Sequence, residues 1–129
     1  LQSGEISFII TKHRRFKSKN MENYNIEEGK NIAIVSYLTI IGAIVAIFMN
    51  QDKKNSFAAF HIRQALGIFI SFFLIGYFIG YFDSWMISSA FYIFYFILWV
   101  YGFLGALQGQ MKLIPLLGEQ FQKIFKNIE

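Results

Sequence analysis

Three long apolar segments separated by short polar ones follow residue 31 of the chain. Residues 32–49 and 65–82 each run for 18 residues without an Asp, Glu, Lys, Arg or His, and residues 85–107 do so for 23. A helix needs about 20 apolar residues to cross the hydrocarbon core of a bilayer. The pattern therefore predicts three transmembrane helices.

The second apolar segment is preceded by a polar start. Residues 56–64 are amphipathic and carry His61, Arg63 and Gln64, and either Asn55 or Ser56 can cap a helix that begins there. We interpret residues 56–82 as one helix that starts at the membrane surface and then enters the bilayer. Asp83 and Ser84 leave room for a two-residue turn only, so the next helix is expected to return antiparallel.

A shorter periodic segment follows at the C-terminus. From Pro115, apolar residues recur on one helical stripe and polar residues lie opposite; the apolar stripe is Leu117, Phe121, Ile124, Phe125 and Ile128. Proline is favoured in the first turn of a helix, where its missing N–H is not needed. The segment near 115–128 is too short and too charged to span, which predicts an interfacial amphipathic helix. The predicted fold is an all-α integral membrane protein with three transmembrane helices, in a single membrane domain over residues 21–129.

Composition supports lipid as the solvent for much of the chain. Hydrophobic residues make up 55% and charged residues 16% of 129 residues, and a chain of this length cannot bury three such segments in a water-soluble core. The lack of Cys excludes disulfides and thiolate metal sites. We expect the net charge of +4 to attract the chain to anionic lipid headgroups rather than to nucleic acid. Lys outnumbers Arg 9 to 3, a bias typical of AT-rich bacterial genes, so we expect a bacterial inner membrane protein.

The first 20 residues differ from the rest, and the predicted orientation depends on them. Met21 opens a polar, acidic segment typical of a translation start. Our hypothesis is that residues 1–20 are an upstream extension or a disordered tail, which N-terminal sequencing of the native protein would test. With three spans and a start at Met21, Lys30 alone lies on the side of Asp83, against six Lys and Arg on the other side. The positive-inside rule then predicts a cytoplasmic C-terminus.

Candidate chemistry is sparse. The three apolar segments lack ionisable residues, which disfavours an ion-coupled transporter. The sequence has no metal-binding spacing, phosphate loop or serine elbow, so we expect neither an enzyme nor a bound metal or cofactor. The best polar candidates are His61, Arg63 and Gln64. They either anchor the helix at the interface, with Arg63 on phosphate headgroups, or engage a partner or line a vestibule.

Small residues recur at four-residue spacing, which lets helix backbones approach closely. Helix packing within the chain is the simpler interpretation, and homo-oligomerisation is the alternative. The pairs are Gly42 and Ala46, Gly67 and Ser71, Gly76 and Gly80, and Gly102 and Ala106.

Two motifs, NSFAAFHIRQALG before the second segment and MKLIPLLGEQF near the C-terminus, resemble a known family. They are similar to small bacterial membrane proteins related to the chloroplast inner-envelope import component, the Tic-twenty-like proteins. His61, Gln64 and Ala65 match that family's His-x-x-Gln-Ala pattern, and residues 114–118 match its C-terminal ending. The resemblance implies a subunit or scaffold of a translocation assembly, although the plastid relatives have four spans and this chain has three predicted ones.

These observations predict a structural or interaction subunit of a membrane assembly, related to protein translocation through the resemblance. The alternative is a homo-oligomeric pore or small-solute channel. The expected partners are the lipid bilayer and other membrane proteins or further copies of the chain.

Overall fold

The computed structural model describes residues 3–128 and, outside residues 15–25, their side chains. These residues form five helices joined by turns: α1 (Ser3–Leu38), α2 (Ile40–Lys53), α3 (Ser56–Ile79), α4 (Trp85–Leu107) and α5 (Gly118–Ile124). Residues 3–20, for which we expected an upstream extension or a disordered tail, form the first part of α1. The proposed start at Met21 stays a prediction.

The predicted first span is not one helix. Thr39 has an extended backbone, with φ −155° and ψ 172°, and it divides residues 32–49 between the end of α1 and α2. Its hydroxyl oxygen accepts a hydrogen bond from the Gly42 amide at 3.0 Å, which caps α2. Within the described residues, two helices are long and apolar enough to cross a membrane, namely α3 and α4. The prediction of three transmembrane helices is therefore wrong.

The end of α1 and the whole of α2 form a hairpin whose tip is Thr39. Gly29 of α1 lies against Asn55, and eight residues later Tyr37 lies against His61, so α1 runs in the same direction as the start of α3. α2 then runs back, because Asn50 near its end contacts Asn55 again. Both ends of the hairpin therefore lie beside the start of α3.

The hairpin reaches only about half of the bundle's length. Residues 38–40 at its tip line an apolar groove of about 710 Å³ together with residues near the middle of α3 and α4, among them Phe72 and Tyr95. The seven residues from Ile32 to Leu38 rise about 10 Å as a helix, and the hydrocarbon core of a bilayer is about 30 Å thick. The hairpin is therefore too short to cross a bilayer, and both of its ends lie at the same end of the bundle.

Close approach of the hairpin's two arms depends on small residues in α2. A Cβ atom at Gly42 would collide with the carbonyl oxygen of Val35, and the side chains of Ala43 and Ala46 are fully buried. Small residues at a helix crossing allow backbones to pack directly. The absence of a side chain at Gly42 is therefore required by the hairpin.

Two asparagines close the connection from α2 to α3. The Asn50 side chain accepts from the Asn55 amide at 3.0 Å and donates to the Asn55 carbonyl at 3.1 Å. The Asn55 side chain in turn accepts from the Ala58 amide at 3.0 Å and caps α3. Both residues are buried, so the polar connection between α2 and α3 is held by packing at each of its ends.

α3 and α4 form an antiparallel pair. α3 continues from its polar start into the apolar segment as one helix, and it ends at Ile79 rather than at residue 82, because residues 80–84 form the turn. The Ser84 side chain caps α4, which covers the same residues as the third predicted segment. Phe72 of α3 stacks on Phe91 of α4 with ring centroids 5.3 Å apart.

The C-terminal amphipathic helix is shorter than the predicted segment near 115–128. α5 has seven residues, and Leu116 before it adopts a positive φ of 68°, which interrupts any longer helix. Phe121 packs against Gly67 of α3, where a Cβ atom would collide with the Phe121 ring. α5 is thereby fixed beside the first half of α3.

We predict that Gly42→Ala lowers the free energy of unfolding by about 1–3 kcal/mol, because the added methyl group must push the hairpin's arms apart. Gly76→Ala is the matched control, since its Cβ atom would lie at an ordinary 3.4 Å from the Phe91 ring. Denaturant titration of the protein in detergent micelles measures both. Equal stability of the two variants would contradict the close packing at Gly42.

Candidate functional site

Tyr37, near the tip of the hairpin, is the centre of a buried polar cluster. Its hydroxyl lies 2.9 Å from Nδ1 of His61 and 3.1 Å from Nε2 of Gln64. The side chains of Tyr37, His61 and Gln64 are fully buried. The structure thus brings together two of the three predicted polar residues and adds a third that the sequence reasoning missed.

The hydrogen-bond directions follow from the chemistry of the partners. Nε2 of His61 lies 2.9 Å from the carbonyl oxygen of Gln110, and a carbonyl oxygen can only accept. The proton of the neutral ring is therefore on Nε2, and Nδ1 accepts from the Tyr37 hydroxyl. The Tyr37 oxygen accepts from the Gln64 amide nitrogen, and the Gln64 amide oxygen accepts from the Ile114 backbone N–H at 2.8 Å.

We call these three side chains and the two backbone groups of residues 110 and 114 the Tyr37 network. Every bond in it has one donor and one acceptor, and it joins α1, α3 and the segment that follows α4. Trp99 of α4 adds a fourth element by donating from Nε1 to the Tyr37 carbonyl at 2.7 Å. That carbonyl belongs to the last turn of α1, where no intrahelical donor remains.

Aromatic rings surround the imidazole. The centroid of the His61 ring lies 4.7 Å from that of Phe57 and 5.1 Å from that of Phe60, both in edge-on arrangements. In such an apolar environment an unpaired polar atom costs free energy, so burial of the imidazole depends on hydrogen bonds to both of its nitrogens. Each nitrogen of the ring is hydrogen-bonded inside the chain, which gives His61 a structural role.

Arg63 lies apart from the Tyr37 network. Its Nε atom donates to the Ile128 carbonyl at 2.9 Å, and its terminal nitrogens lie 3.4 Å from the Lys126 carbonyl and the Gln122 side chain. Gln122 in turn donates to the Phe60 carbonyl at 2.9 Å. The structure therefore places Arg63 on the C-terminal segment, and the expected cluster of His61, Arg63 and Gln64 divides into two separate sites. Contact of Arg63 with phosphate headgroups stays a prediction.

The small residues chosen from the sequence have neighbours within the chain. Gly102 lies against the ring of Tyr37, Gly76 against that of Phe91 and Gly67 against that of Phe121. Ala106 is fully buried, and the Ser71 hydroxyl donates to the Gly67 carbonyl. Gly80 caps the C-terminal end of α3, and a Cβ atom there would meet only the backbone of residues 76 and 77.

Sequence reasoning missed Tyr37, Trp99 and the backbone of residue 110. A tyrosine in the middle of an apolar segment is a usable signal, because a buried phenol needs a hydrogen-bond partner. The partners themselves are 24 and 27 residues away along the chain, so only the fold identifies them. Among the side chains that the structure describes, no three His, Asp or Glu residues lie close enough to hold a metal ion.

The chain matches a known protein family. The model of the magnetosome magnetite crystal formation protein family, MamF/MmsF, matches residues 28–120. No curated protein and no solved structure matches the chain. The matched range begins just before the hairpin and ends inside α5, so it contains the whole Tyr37 network.

This match corrects the resemblance to Tic-twenty-like import components, because the family that matches is a different one. The structure explains why the motifs misled. His61 and Gln64 of the His-x-x-Gln-Ala pattern belong to the Tyr37 network, and Ile114 of the C-terminal motif donates to Gln64. These residues hold the fold together, and they carry no information about translocation.

We predict that Tyr37→Phe lowers the free energy of unfolding by about 1–3 kcal/mol, because it leaves two buried atoms, Nδ1 of His61 and Nε2 of Gln64, without the hydroxyl that each of them bonds. Tyr92→Phe removes the same atom from a tyrosine that is 61% exposed on α4, and should be close to neutral. Thermal unfolding in detergent micelles compares them. A loss in Tyr37→Phe no greater than in the control would show that the network contributes little.

Proposed function

Because the chain belongs to the magnetosome magnetite crystal formation protein family, we propose that it is a non-enzymatic subunit of the membrane around a forming crystal. It acts there through contacts with lipid and with other membrane proteins. The family match over residues 28–120 is the observation that carries the proposal. Translocation is no longer proposed, since it depended on the resemblance that the match corrects.

The polar side chains form hydrogen bonds within the chain, which supports a structural role. The side chains of the Tyr37 network bond to one another and to the backbone, and Arg63 holds the C-terminal segment. What the protein offers to its surroundings is the outer surface of α3 and α4, where large apolar side chains such as Phe73, Phe78 and Phe96 are exposed. Lipid tails and helices of other membrane proteins are suitable neighbours for such a surface.

A homo-oligomeric pore built on the small-residue faces is not proposed. Gly67, Gly76 and Gly102 each face an aromatic ring of the same chain, and Gly42 faces the backbone of α1. Those faces are occupied by packing within one molecule.

The fold also supports an orientation. The bundle has two ends. We call one the polar end; it contains the first residues of α3, the last residues of α4, and α5. We call the other, which contains residues 80–84, the turn end. From residue 26 onward the basic residues lie at the polar end: Lys30, Lys53, Lys54, Arg63, Lys112, Lys123 and Lys126. Asp83 is the charged residue of the turn end. The positive-inside rule then assigns the polar end to the cytoplasm.

This orientation replaces the reasoning that depended on a start at Met21. With three spans, the residues before the first span would lie on the side of Asp83. With a re-entrant hairpin, α1 enters from the side on which α2 leaves, so Lys30 lies on the side of Lys53 wherever the chain starts. The C-terminus is assigned to the cytoplasm as before, and the residues before the hairpin now share its side.

Single-cysteine labelling tests the orientation in cells, because the native chain contains no Cys. With the chain in the inner membrane of a bacterium that forms no crystal compartments, we predict that Asp83→Cys reacts with a membrane-impermeant maleimide while that membrane is intact. Lys53→Cys should react only after that membrane is permeabilised. Both positions are exposed in the structure, so their reactivity reports sidedness. The reversed pattern would contradict the proposed orientation.

Complementation tests the family function. We predict that the chain restores crystal size, measured by electron microscopy, in a magnetite-forming bacterium that lacks its own member of the family. Tyr92→Phe should restore it equally, and Tyr37→Phe should restore less because its hairpin is loosened. Failure of the native chain to change the crystals, although it accumulates in the membrane, would count against the proposal.

A further inference from the structure

The two ends of the bundle differ in how many helices they contain. Four elements surround the first half of α3: the last turns of α1, the whole of α2, the last turns of α4, and α5. Beyond the hairpin tip, α3 and α4 continue as a pair. Burial along α3 shows the same difference. Eleven residues between Phe57 and Ile68 are buried, and none of residues 69–79 is.

When α3 and α4 span a bilayer, the difference between the two ends falls near its middle. α3 has 24 residues and α4 has 23, which is about 35 Å of helix each. The hairpin ends at Thr39, beside the middle of both helices, and the apolar groove lies at that level. One leaflet therefore surrounds the hairpin as well as α3 and α4, while the other surrounds α3 and α4 alone.

The protein occupies more area in one leaflet than in the other, and the difference is large for a chain of this size. A helix with its side chains is about 10–12 Å wide, so the two arms of the hairpin add roughly 160–220 Å² to one leaflet only. α5 lies beside the first half of α3 and adds to the same leaflet. Material inserted into a single leaflet expands it relative to the other, and a bilayer relieves that mismatch by bending.

We propose that the protein is a single-leaflet wedge that prefers, and stabilises, membrane that is convex on the side of its polar end. This property deepens the proposed function. The preference for curvature does not depend on the proposed orientation, whereas the side of the membrane that becomes convex does. With the polar end in the cytoplasm, the convex leaflet is the cytoplasmic one. That is the curvature of any closed membrane compartment inside a cell, including one that encloses a crystal.

Vesicles of two sizes test the wedge. Full-length Lys53→Cys protein is reconstituted by slow detergent removal into vesicles of neutral and anionic phospholipid, of about 20 nm and about 100 nm radius. An impermeant maleimide then labels the molecules whose polar end faces outward. We expect the ratio of outward to inward molecules to be about twofold higher in the small vesicles, because their outer leaflet is the more strongly convex one. Asp83→Cys reports the turn end, so its outward labelling should fall by a similar factor.

Equal outward labelling in small and large vesicles would overturn the wedge. A rise for both cysteines would overturn it as well, since that pattern reflects access of the reagent and not orientation. The vesicle result and the labelling in cells are independent. Loss of the size dependence with unchanged labelling in cells would remove the wedge and leave the proposed function. A size dependence with reversed labelling in cells would keep the wedge and remove the proposed orientation.

Discussion

Thr39 interrupts the helical hydrogen bonding of an 18-residue apolar segment, and its hydroxyl together with Trp99 satisfies backbone groups that the interruption exposes. In a bilayer no water is available to bond such groups, so a break at this depth survives only where the protein itself supplies partners. The Gly42 amide bonds to the Thr39 side chain, and the Tyr37 carbonyl bonds to the indole of α4. The turn at Thr39 is therefore compatible with an apolar environment, and the course of the chain follows from it.

The Tyr37 network holds the hairpin against the two long helices. Unpaired polar side chains in an apolar environment cost free energy, and each hydrogen bond of the network joins one donor to one acceptor. Because Gln110 and Ile114 contribute backbone groups, the network also fixes the segment that leads to α5. Arg63 and Gln122 complete this attachment from another face of α3. The Tyr37 network, together with Arg63 and Gln122, thereby fixes α1, α3, α4 and the C-terminal segment relative to one another at the polar end.

The sequence predicted the two long helices well, because 18 or more apolar residues without a charge leave few alternatives to a span. It failed at residues 32–49 for the same reason: their length and hydropathy are those of a span, and a single threonine is an ordinary residue in a membrane helix. The turn depends on Gly42 meeting Val35 and on Tyr37 meeting His61, contacts that only the folded chain reveals. His61 and Gln64 were found by their polarity at the start of α3, but whether they face headgroups or the protein interior could not be read from spacing. Arg63 lies between them in sequence and points elsewhere, as neighbours on a helix do.

The distance between Glu28 and Lys53 in a bilayer tests the re-entrant hairpin most directly. Spin labels on a Glu28→Cys, Lys53→Cys double variant in vesicles, measured by pulsed electron resonance, report that distance, and both positions are exposed. The hairpin places the two residues at the same surface, since Gly29 and Asn55 are in contact, and so predicts a separation well below the thickness of the hydrocarbon core. A separation of about 30 Å or more would show that residues 32–49 cross the bilayer, and would contradict both the two-span fold and the wedge that follows from it.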